Sequence, residues 1–217
     1  MDKTKIMQHM HELGLVPVLR ASSAQEAITI ADAILAGGVN ILEVTMTVPG
    51  AIRVIEQLAN HHGSKLLLGA GTVLDPETAR SCILAGAQFI VSPALDLRTI
   101  ELCRRYSVPI MPGALTPTEI VTAWQAGADV VKVFPCSALG GAKYLQALKG
   151  PLPQIQLIPT GGVSLATAEE FLAAGAFALG VGGDLVDAKA AREGRTSVIT
   201  ENAQKYISIV KKFRGAS

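Results

Sequence analysis

A single lysine interrupts a short apolar stretch in this chain. Lys132 lies within Asp129-Val130-Val131-Lys132-Val133-Phe134-Pro135, a β-branched run that ends at a proline and is typical of a buried strand. Alternation along a strand puts Lys132 on one face with Val130 and Phe134. Burial disfavours the charged form of an amine, and a neutral amine is a nucleophile toward carbonyl carbon. Lys132 is therefore a candidate for covalent catalysis, with an ion pair to a nearby carboxylate as the alternative.

A lone glutamate occupies the same kind of position in another predicted strand. Glu43 interrupts the apolar run Ile41-Leu42-Glu43-Val44. Two opposite charges on buried strands are costly unless they face each other or a ligand. We therefore expect Glu43 and Lys132 to meet at one site. The alternative is a buried ion pair that leaves the lysine charged and unreactive.

Predicted strands alternate with predicted helices along the whole chain and must position these two side chains. The strands are apolar on both faces, which is typical of a parallel sheet. Capping patterns mark the helix starts, for example at Ser23, Asp75, Thr116 and Ser164. The predicted strands cover residues 14–20, 40–46, 65–72, 88–93, 109–113, 129–135, 154–162 and 177–183.

Eight strand–helix units predict an α/β fold, specifically a (β/α)8 TIM barrel. We expect a single domain over residues 1–217, with the barrel at about 15–190. An extra N-terminal helix is expected before the barrel and a C-terminal helix at about 198–214. An open doubly wound sheet is the alternative fold, but no G-x-G-x-x-G pattern follows the first strand.

Further candidate residues end the predicted strands, where barrel active sites form. Arg20 can fork onto a carboxylate or phosphate, or it can be a rim arginine in contact with solvent or Glu43. Thr72 follows glycines that let a ligand approach the backbone, and its alternative role is a helix cap. The pairs Gly161-Gly162 and Gly182-Gly183 end strands seven and eight, where backbone N–H groups can hold a phosphate or simply form turns.

Composition excludes several classes of function. A net charge of +1 and 4% aromatic residues predict no nucleic-acid partner. The chain contains no apolar run long enough for a membrane span, and its start lacks the apolar core of a signal peptide. The four histidines lack metal-ligand spacing, and the three cysteines fit neither a disulfide framework nor zinc. We expect no metal and a cytoplasmic location.

The ordered motifs resemble those of one enzyme family. The chain is similar to the 2-keto-3-deoxy-6-phosphogluconate (KDPG) and 4-hydroxy-2-oxoglutarate (KHG) aldolases, from about Val16 to Val186. The resemblance rests on Leu42-Glu43-Val44-Thr45, Gly69-Ala70-Gly71-Thr72-Val73, Val91-Ser92-Pro93, Lys132-Val133-Phe134-Pro135 and Pro159-Thr160-Gly161-Gly162.

The resemblance implies a class I aldolase that cleaves a 2-keto-4-hydroxy acid to pyruvate and an aldehyde, either glyceraldehyde 3-phosphate or glyoxylate. It makes Lys132 the Schiff-base lysine and Glu43 the proton shuttle, with Thr72 on the pyruvate carboxylate and Thr160 on the aldehyde. Arg20 matches an arginine that many members carry. The substrate-binding set then also includes Thr45, Thr47, Pro93, Phe134 and the two glycine pairs. It further implies a homotrimer that needs no cofactor, because the substrate is bound covalently.

Two departures from the family pattern concern the aldehyde half of the substrate. Thr47 stands where well-known members carry an arginine, although a second subgroup also has Thr-Val-Pro there, as in Thr47-Val48-Pro49. Gly182-Gly183 with Asp184 behind stands where the loop often reads Gly-Ser. The loss of an arginine and of a hydroxyl group, together with the added carboxylate, weakens the expected recognition of a phosphorylated substrate. The alternatives to an aldolase are a phosphate-binding isomerase or decarboxylase without a covalent intermediate, and a non-catalytic keto-acid or sugar-phosphate binding protein.

Overall fold

The computed structural model describes residues 2–215, so the predicted domain limits at 1 and 217 lie outside the described residues. Within that range the chain forms short strands separated by helices, as the sequence predicts. The strands are β1 Leu15–Leu19, β2 Ile41–Thr45, β3 Leu67–Gly71, β4 Phe89–Val91, β5 Ile110–Met111, β6 Gly113–Ala114, β7 Val131–Val133, β8 Leu157–Pro159 and β9 Leu179–Val181. The helices are α1 Lys3–Leu13, α2 Ala24–Ala36, α3 Ala51–His62, α4 Pro76–Leu84, α5 Leu97–Arg105, α6 Pro117–Ala126, α7 Ala142–Lys149, α8 Ala168–Ala173, α9 Ala188–Arg192 and α10 Ser197–Gly215.

All strand pairings of the described chain are parallel, which confirms the predicted α/β class. A six-stranded sheet has the order β5-β4-β3-β2-β1-β9, and a three-stranded sheet has the order β6-β7-β8. The two sheets meet at Pro112, between β5 and β6, and at a bridge between Thr160 and Gly180. The chain and one isolated bridge therefore connect the two sheets.

Helix starts follow the predicted caps at several positions. The side chains of Ser23 and Asp75 accept hydrogen bonds from the third residue of their helices, and Thr116 forms a reciprocal capping box with Glu119. Each cap satisfies a backbone N–H that the helix itself cannot pair. These caps mark where the helices begin after the strand ends that carry the candidate site.

Several predicted boundaries were wrong. Ser164 does not cap α8, which begins four residues later at Ala168 with Thr167 at the cap position. The predicted strand 109–113 divides at Pro112, because proline has no N–H for the ladder. The predicted strands 154–162 and 177–183 are shorter than expected, since Gly161 has a φ of +90° and the carbonyl of Gly182 accepts two turn hydrogen bonds.

Two apolar clusters lie on opposite faces of the strands. The larger one packs the strands against the outer helices and contains Leu42, Val44, Val131 and Val133. The smaller one contains Ile41 and Val130, together with residues of α1. We call the face of this smaller cluster the inner face. Successive side chains of a strand point to opposite faces. A strand residue that lies between two members of the larger cluster therefore points to the inner face.

Candidate active site

The two charged side chains predicted to meet do meet on the inner face. Lys132 lies in the middle of β7 and Glu43 in the middle of β2. Their side chains are 6% and 2% exposed, and the Lys132 Nζ atom is 3.7 Å from the Glu43 Oε1 atom. This distance is an ion-pair contact that is too long for a hydrogen bond. The sequence prediction that two costly charges share one site is therefore confirmed.

The Glu43 carboxylate is not satisfied by the protein. Its Oε1 atom has no hydrogen-bond partner within residues 2–215, although it is fully buried. Burial raises the pKa of Glu43 above its ordinary value, while the positive charges of Lys132 and Arg20 act in the opposite direction. Buried polar atoms are nearly always paired, so an unpaired carboxylate oxygen next to a lysine marks a functional candidate.

Room for the Glu43 carboxylate comes from a missing side chain on the neighbouring strand. A Cβ atom on Gly71, the last residue of β3, would lie 2.5 Å from the Glu43 Oε1 atom and 2.8 Å from its Cδ atom. Sequence reasoning assigned these glycines to the approach of a ligand toward the backbone and missed the contact with Glu43. The glycines are visible in the sequence, but the sequence does not show that Gly71 contacts Glu43, because Glu43 lies on another strand.

A cavity of about 240 Å³ opens beside this pair at the carboxyl ends of the strands. The Phe134 ring, which lines it, has its centroid 5.5 Å from the Lys132 Nζ atom. Predicted binding residues supply most of its wall, namely Arg20, Phe134, Thr160, Gly161, Gly162, Gly182 and Gly183. A Cβ atom on Gly182 or Gly183 would meet nothing within 4 Å, so the backbone of this loop faces open space. Lys132 and Glu43 do not line the cavity themselves, and Phe134 is the lining residue next to the lysine.

Four predicted binding residues lie at strand ends but do not line this cavity. Thr45 is fully buried, and its hydroxyl donates to the Leu19 carbonyl at 3.0 Å and contacts the Thr47 hydroxyl at 2.7 Å. Thr72 follows β3 with a φ of +58°, which is an uncommon conformation for a β-branched residue. Pro93 follows β4 and is partly buried. Backbone strain such as the positive φ of Thr72 often accompanies a functional site.

Two residues whose roles the sequence left open have definite contacts. The Asp184 Oδ1 atom accepts hydrogen bonds from the Leu165 N–H at 3.0 Å and from the Tyr206 hydroxyl at 2.5 Å. Cys136 is buried, and burial raises the pKa of its thiol to about 11. Burial of this kind disfavours the reactive thiolate, which suits a packing role for Cys136.

The described residues also bear on metals and membranes. Across residues 2–215, no three side chains of histidine, cysteine, aspartate or glutamate are grouped so that they could hold a metal ion. In the same range, every helix is too short or too polar to cross a bilayer.

Comparison with known proteins points to one family. A family model described as KDPG and KHG aldolase matches residues 6–202. The KHG/KDPG aldolase of Escherichia coli K12 is 36% identical over 198 residues, which cover 91% of this chain and 92% of that protein.

Solved structures agree with that match. A KDPG aldolase from Legionella pneumophila, with pyruvate captured at low pH as a covalent carbinolamine intermediate, has a TM-score of 0.85 and 30% identity, covering 94% of this chain and 97% of its own. A cube-shaped cage designed by fusing symmetric oligomeric domains has a TM-score of 0.86 and 30% identity, covering 94% of this chain and 74% of its own. The family match spans every candidate residue from Arg20 to Gly183, and this chain therefore belongs to the KDPG and KHG aldolase family.

Proposed function

We propose that this protein is a class I aldolase that cleaves a 2-keto-4-hydroxy acid to pyruvate and an aldehyde through a Schiff base on Lys132. The observation that carries the proposal is the buried Lys132–Glu43 pair, 3.7 Å apart, with an unsatisfied carboxylate oxygen. Family relatives are named for KDPG and KHG, and both of these acids contain the 2-keto-4-hydroxy unit. KDPG, KHG or both are the proposed substrates.

The first step is the attack of the neutral Lys132 amine on the C2 carbonyl carbon. Glu43 is the neighbouring acceptor for the ammonium proton, and its raised pKa favours taking it. The new C–N bond gives a carbinolamine, and protonated Glu43 gives its proton to the C2 hydroxyl, which leaves as water. The product is a protonated Schiff base, which is an electron sink at C2.

Cleavage then uses the same two residues. Ionised Glu43, directly or through a water, removes the proton of the C4 hydroxyl, and the electrons of the C3–C4 bond move into the Schiff base. The aldehyde leaves and an enamine remains on Lys132. Protonated Glu43 returns its proton to C3, and hydrolysis of the Schiff base releases pyruvate and the free amine. A carboxyl group with a raised pKa suits this alternation between base and acid.

The predicted binding residues keep the roles that the family resemblance implies. We assign Thr72 to the pyruvate carboxylate, with Pro93 and the Thr45–Thr47 hydroxyl pair nearby in the strand-end layer. Phe134 covers the amine, and Thr160 contacts the aldehyde half. Arg20 and the glycine pairs face the end of the substrate that lies in the cavity.

We further propose that the two sheets form one closed (β/α)8 barrel in a single domain, with α1 as an extra helix. The continuity at Pro112 and the bridge between Thr160 and Gly180 support closure. We also propose that the protein is cytoplasmic, that it requires no cofactor or metal, and that it has no nucleic-acid or membrane partner. The three cysteines are buried and free, which suits a reducing compartment.

A homotrimer is the proposed assembly. A similar chain was used in a cage built from symmetric oligomeric domains, and large apolar side chains such as Leu74, Leu84 and Trp124 are exposed on this one. Light scattering after size exclusion is expected to give three times the chain mass of 22.6 kDa. A monomeric mass at working concentrations would contradict this assembly.

Borohydride reduction in the presence of pyruvate tests the covalent step. The expected result is irreversible attachment of the three-carbon unit at Lys132, located by peptide mass spectrometry. Lys132→Met is expected to give no adduct, whereas the matched change Lys143→Met, at an exposed lysine of α7, is expected to label normally. A folded protein without an adduct at Lys132 would favour an isomerase or decarboxylase that uses the pair as acid and base only. Ligand-induced stabilisation without pyruvate release would favour a binding protein.

A further inference from the structure

Asp184 places a carboxylate in the wall of the cavity, directly after the open Gly182-Gly183 loop. Three hydrogen bonds fix the position of this residue. The Oδ1 atom accepts the hydrogen bonds from Leu165 and Tyr206, and the backbone carbonyl accepts one from the Asn202 side chain at 3.1 Å. Because these contacts hold the residue to α10 and to the loop after β8, the carboxylate cannot easily turn away from a bound molecule.

The second oxygen of that carboxylate is free. Within residues 2–215, the Asp184 Oδ2 atom makes no hydrogen bond and the carboxylate forms no ion pair. Thr160, Arg20 and several glycines also line the cavity. This exposed residue of the cavity wall therefore keeps one unpaired acceptor.

The charges around the cavity nearly cancel. Arg20 and Asp184 contribute one positive and one negative group to the wall, and the Lys132–Glu43 pair beside it is also balanced. A phosphate dianion in this space would face the Asp184 carboxylate, and like charges at close range are unfavourable. A sugar-type hydroxyl, in contrast, can donate a hydrogen bond to the free Oδ2 atom.

We propose that Asp184 is a specificity-determining residue that favours hydroxyl groups over phosphate at the end of the substrate that lies in this cavity. Of the substrates proposed above, KDPG is then used less well than the same acid without its phosphate, and the aldehyde released from that acid is an unphosphorylated hydroxyaldehyde. This inference rests on the proposed aldolase function, because it concerns the far half of the same substrate. It differs from that function in depending on Asp184 rather than on the Lys132–Glu43 pair.

A matched pair of substrates tests the inference. The rates of pyruvate release are compared for 2-keto-3-deoxygluconate and its 6-phosphate, which differ only in the phosphate. The wild-type protein is expected to have the higher kcat/KM on the unphosphorylated acid. Asp184→Asn keeps an acceptor for Tyr206 but removes the charge, and it is expected to shift the ratio of the two kcat/KM values about tenfold toward the phosphorylated acid, mainly through KM.

Glu201→Gln is the matched control, because it removes an exposed carboxylate of α10 that does not line the cavity. It is expected to leave the substrate ratio unchanged. If Asp184→Asn does not fold, raising the ionic strength is expected to reduce the wild-type preference, since an exposed charge is screened by salt.

The outcomes separate this inference from the proposed function. A pyruvate adduct at Lys132 together with a wild-type preference for the phosphorylated acid would overturn the role of Asp184 alone. An unchanged ratio in folded Asp184→Asn would do the same. Absence of both the adduct and any cleavage would overturn the aldolase and this inference together.

Discussion

Glu43 is subject to opposing effects that together suit an acid–base role. Its burial raises its pKa, whereas Lys132 and Arg20 lower it through their positive charges. Burial has the larger effect, so the carboxyl group binds a proton more readily than an exposed glutamate does. A group that must both accept and return a proton near neutral pH benefits from such a pKa.

Replacing this carboxylate is expected to slow turnover without preventing the covalent step. Glu43→Gln keeps the size of the side chain and removes its ability to accept a proton. We expect kcat to fall by about 10²- to 10⁴-fold, which is the usual contribution of general acid–base catalysis. Borohydride trapping with pyruvate is expected to label Lys132 still. A kcat within a few-fold of wild type would contradict the role of Glu43.

The pH profile is expected to report the pKa of Glu43. Because the base must be ionised, kcat/KM should fall as the pH decreases through a midpoint above the ordinary value of 4.5. Arg20→Gln removes one of the charges that lower this pKa, so its midpoint should lie at higher pH. Arg53→Gln, at an exposed arginine of α3, is the matched control and should leave the midpoint unchanged. Coincident profiles for the wild type and Arg20→Gln would contradict the assignment.

Lys132→Met is expected to make stability more dependent on pH. Without the lysine, the pKa of Glu43 in the folded state rises further above its unfolded value, because Lys132 lowers it. The folded state then keeps its full stability only at pH values below the unfolded pKa, and it loses stability as the pH rises through the folded one. We expect a deficit of about 1–3 kcal/mol in the free energy of unfolding at neutral pH that shrinks on acidification.

Urea denaturation of Lys132→Met at several pH values measures this effect. The double variant Lys132→Met/Glu43→Leu is the control, since it removes the carboxylate that titrates. Its deficit relative to the wild type should vary less with pH. A deficit in the single variant that stays constant between acid and neutral pH would show that Lys132 does not act on the ionisation of Glu43.

At the scale of elements, the close approach of β2 and β3 decides where the Glu43 carboxylate lies. Gly71→Ala would place a Cβ atom 2.5 Å from the Glu43 Oε1 atom, so the carboxylate must shift. We expect kcat to fall by about 100-fold, because a displacement of about 1 Å can have that effect. Gly150→Ala, where the nearest atom is 3.6 Å away, should be neutral. Normal kcat in Gly71→Ala would show that this contact does not position the carboxylate.

Strand identity could be predicted from the sequence more reliably than strand ends. Lys132 and Glu43 were expected to meet because an isolated charge in an apolar strand needs a partner, and this reasoning requires no three-dimensional information. The break at Pro112 was also open to prediction, since proline lacks the donor that a ladder needs. The start of α8 at Ala168 was not, because Ser164 and Thr167 are both good caps and the tertiary fold selects between them.

Contacts between distant segments remained outside the reach of sequence patterns. The approach of Gly71 to Glu43 and the hydrogen bond from Tyr206 to Asp184 join residues with no shared periodicity or motif. Both depend on the packing of one element on another. These contacts shape the candidate site, whereas the expectation that Lys132 and Glu43 carry its chemistry came from residue type and position in the sequence.

At the scale of the whole molecule, α1 and the candidate cavity lie toward opposite ends of the strands. Met10 of α1 is fully buried in the inner cluster with Ile41, Leu67 and Phe89, the first residues of β2, β3 and β4. The cavity lies at the carboxyl ends. In the proposed barrel, one face would carry the activity and the other would contribute to stability.

Met10→Ala is therefore expected to weaken the fold without changing the chemistry. Truncating a fully buried methionine should lower the free energy of unfolding by about 2–5 kcal/mol, because apolar burial is lost and a cavity remains. Gln8→Ala, at an exposed position of the same helix, should change it by less than about 0.5 kcal/mol. Urea denaturation measures both variants, and their kcat values, taken where the proteins are folded, should match the wild type. If kcat fell in Met10→Ala while Gln8→Ala stayed normal, α1 would have to act on the site through the inner cluster, and the two ends of the strands would not be independent.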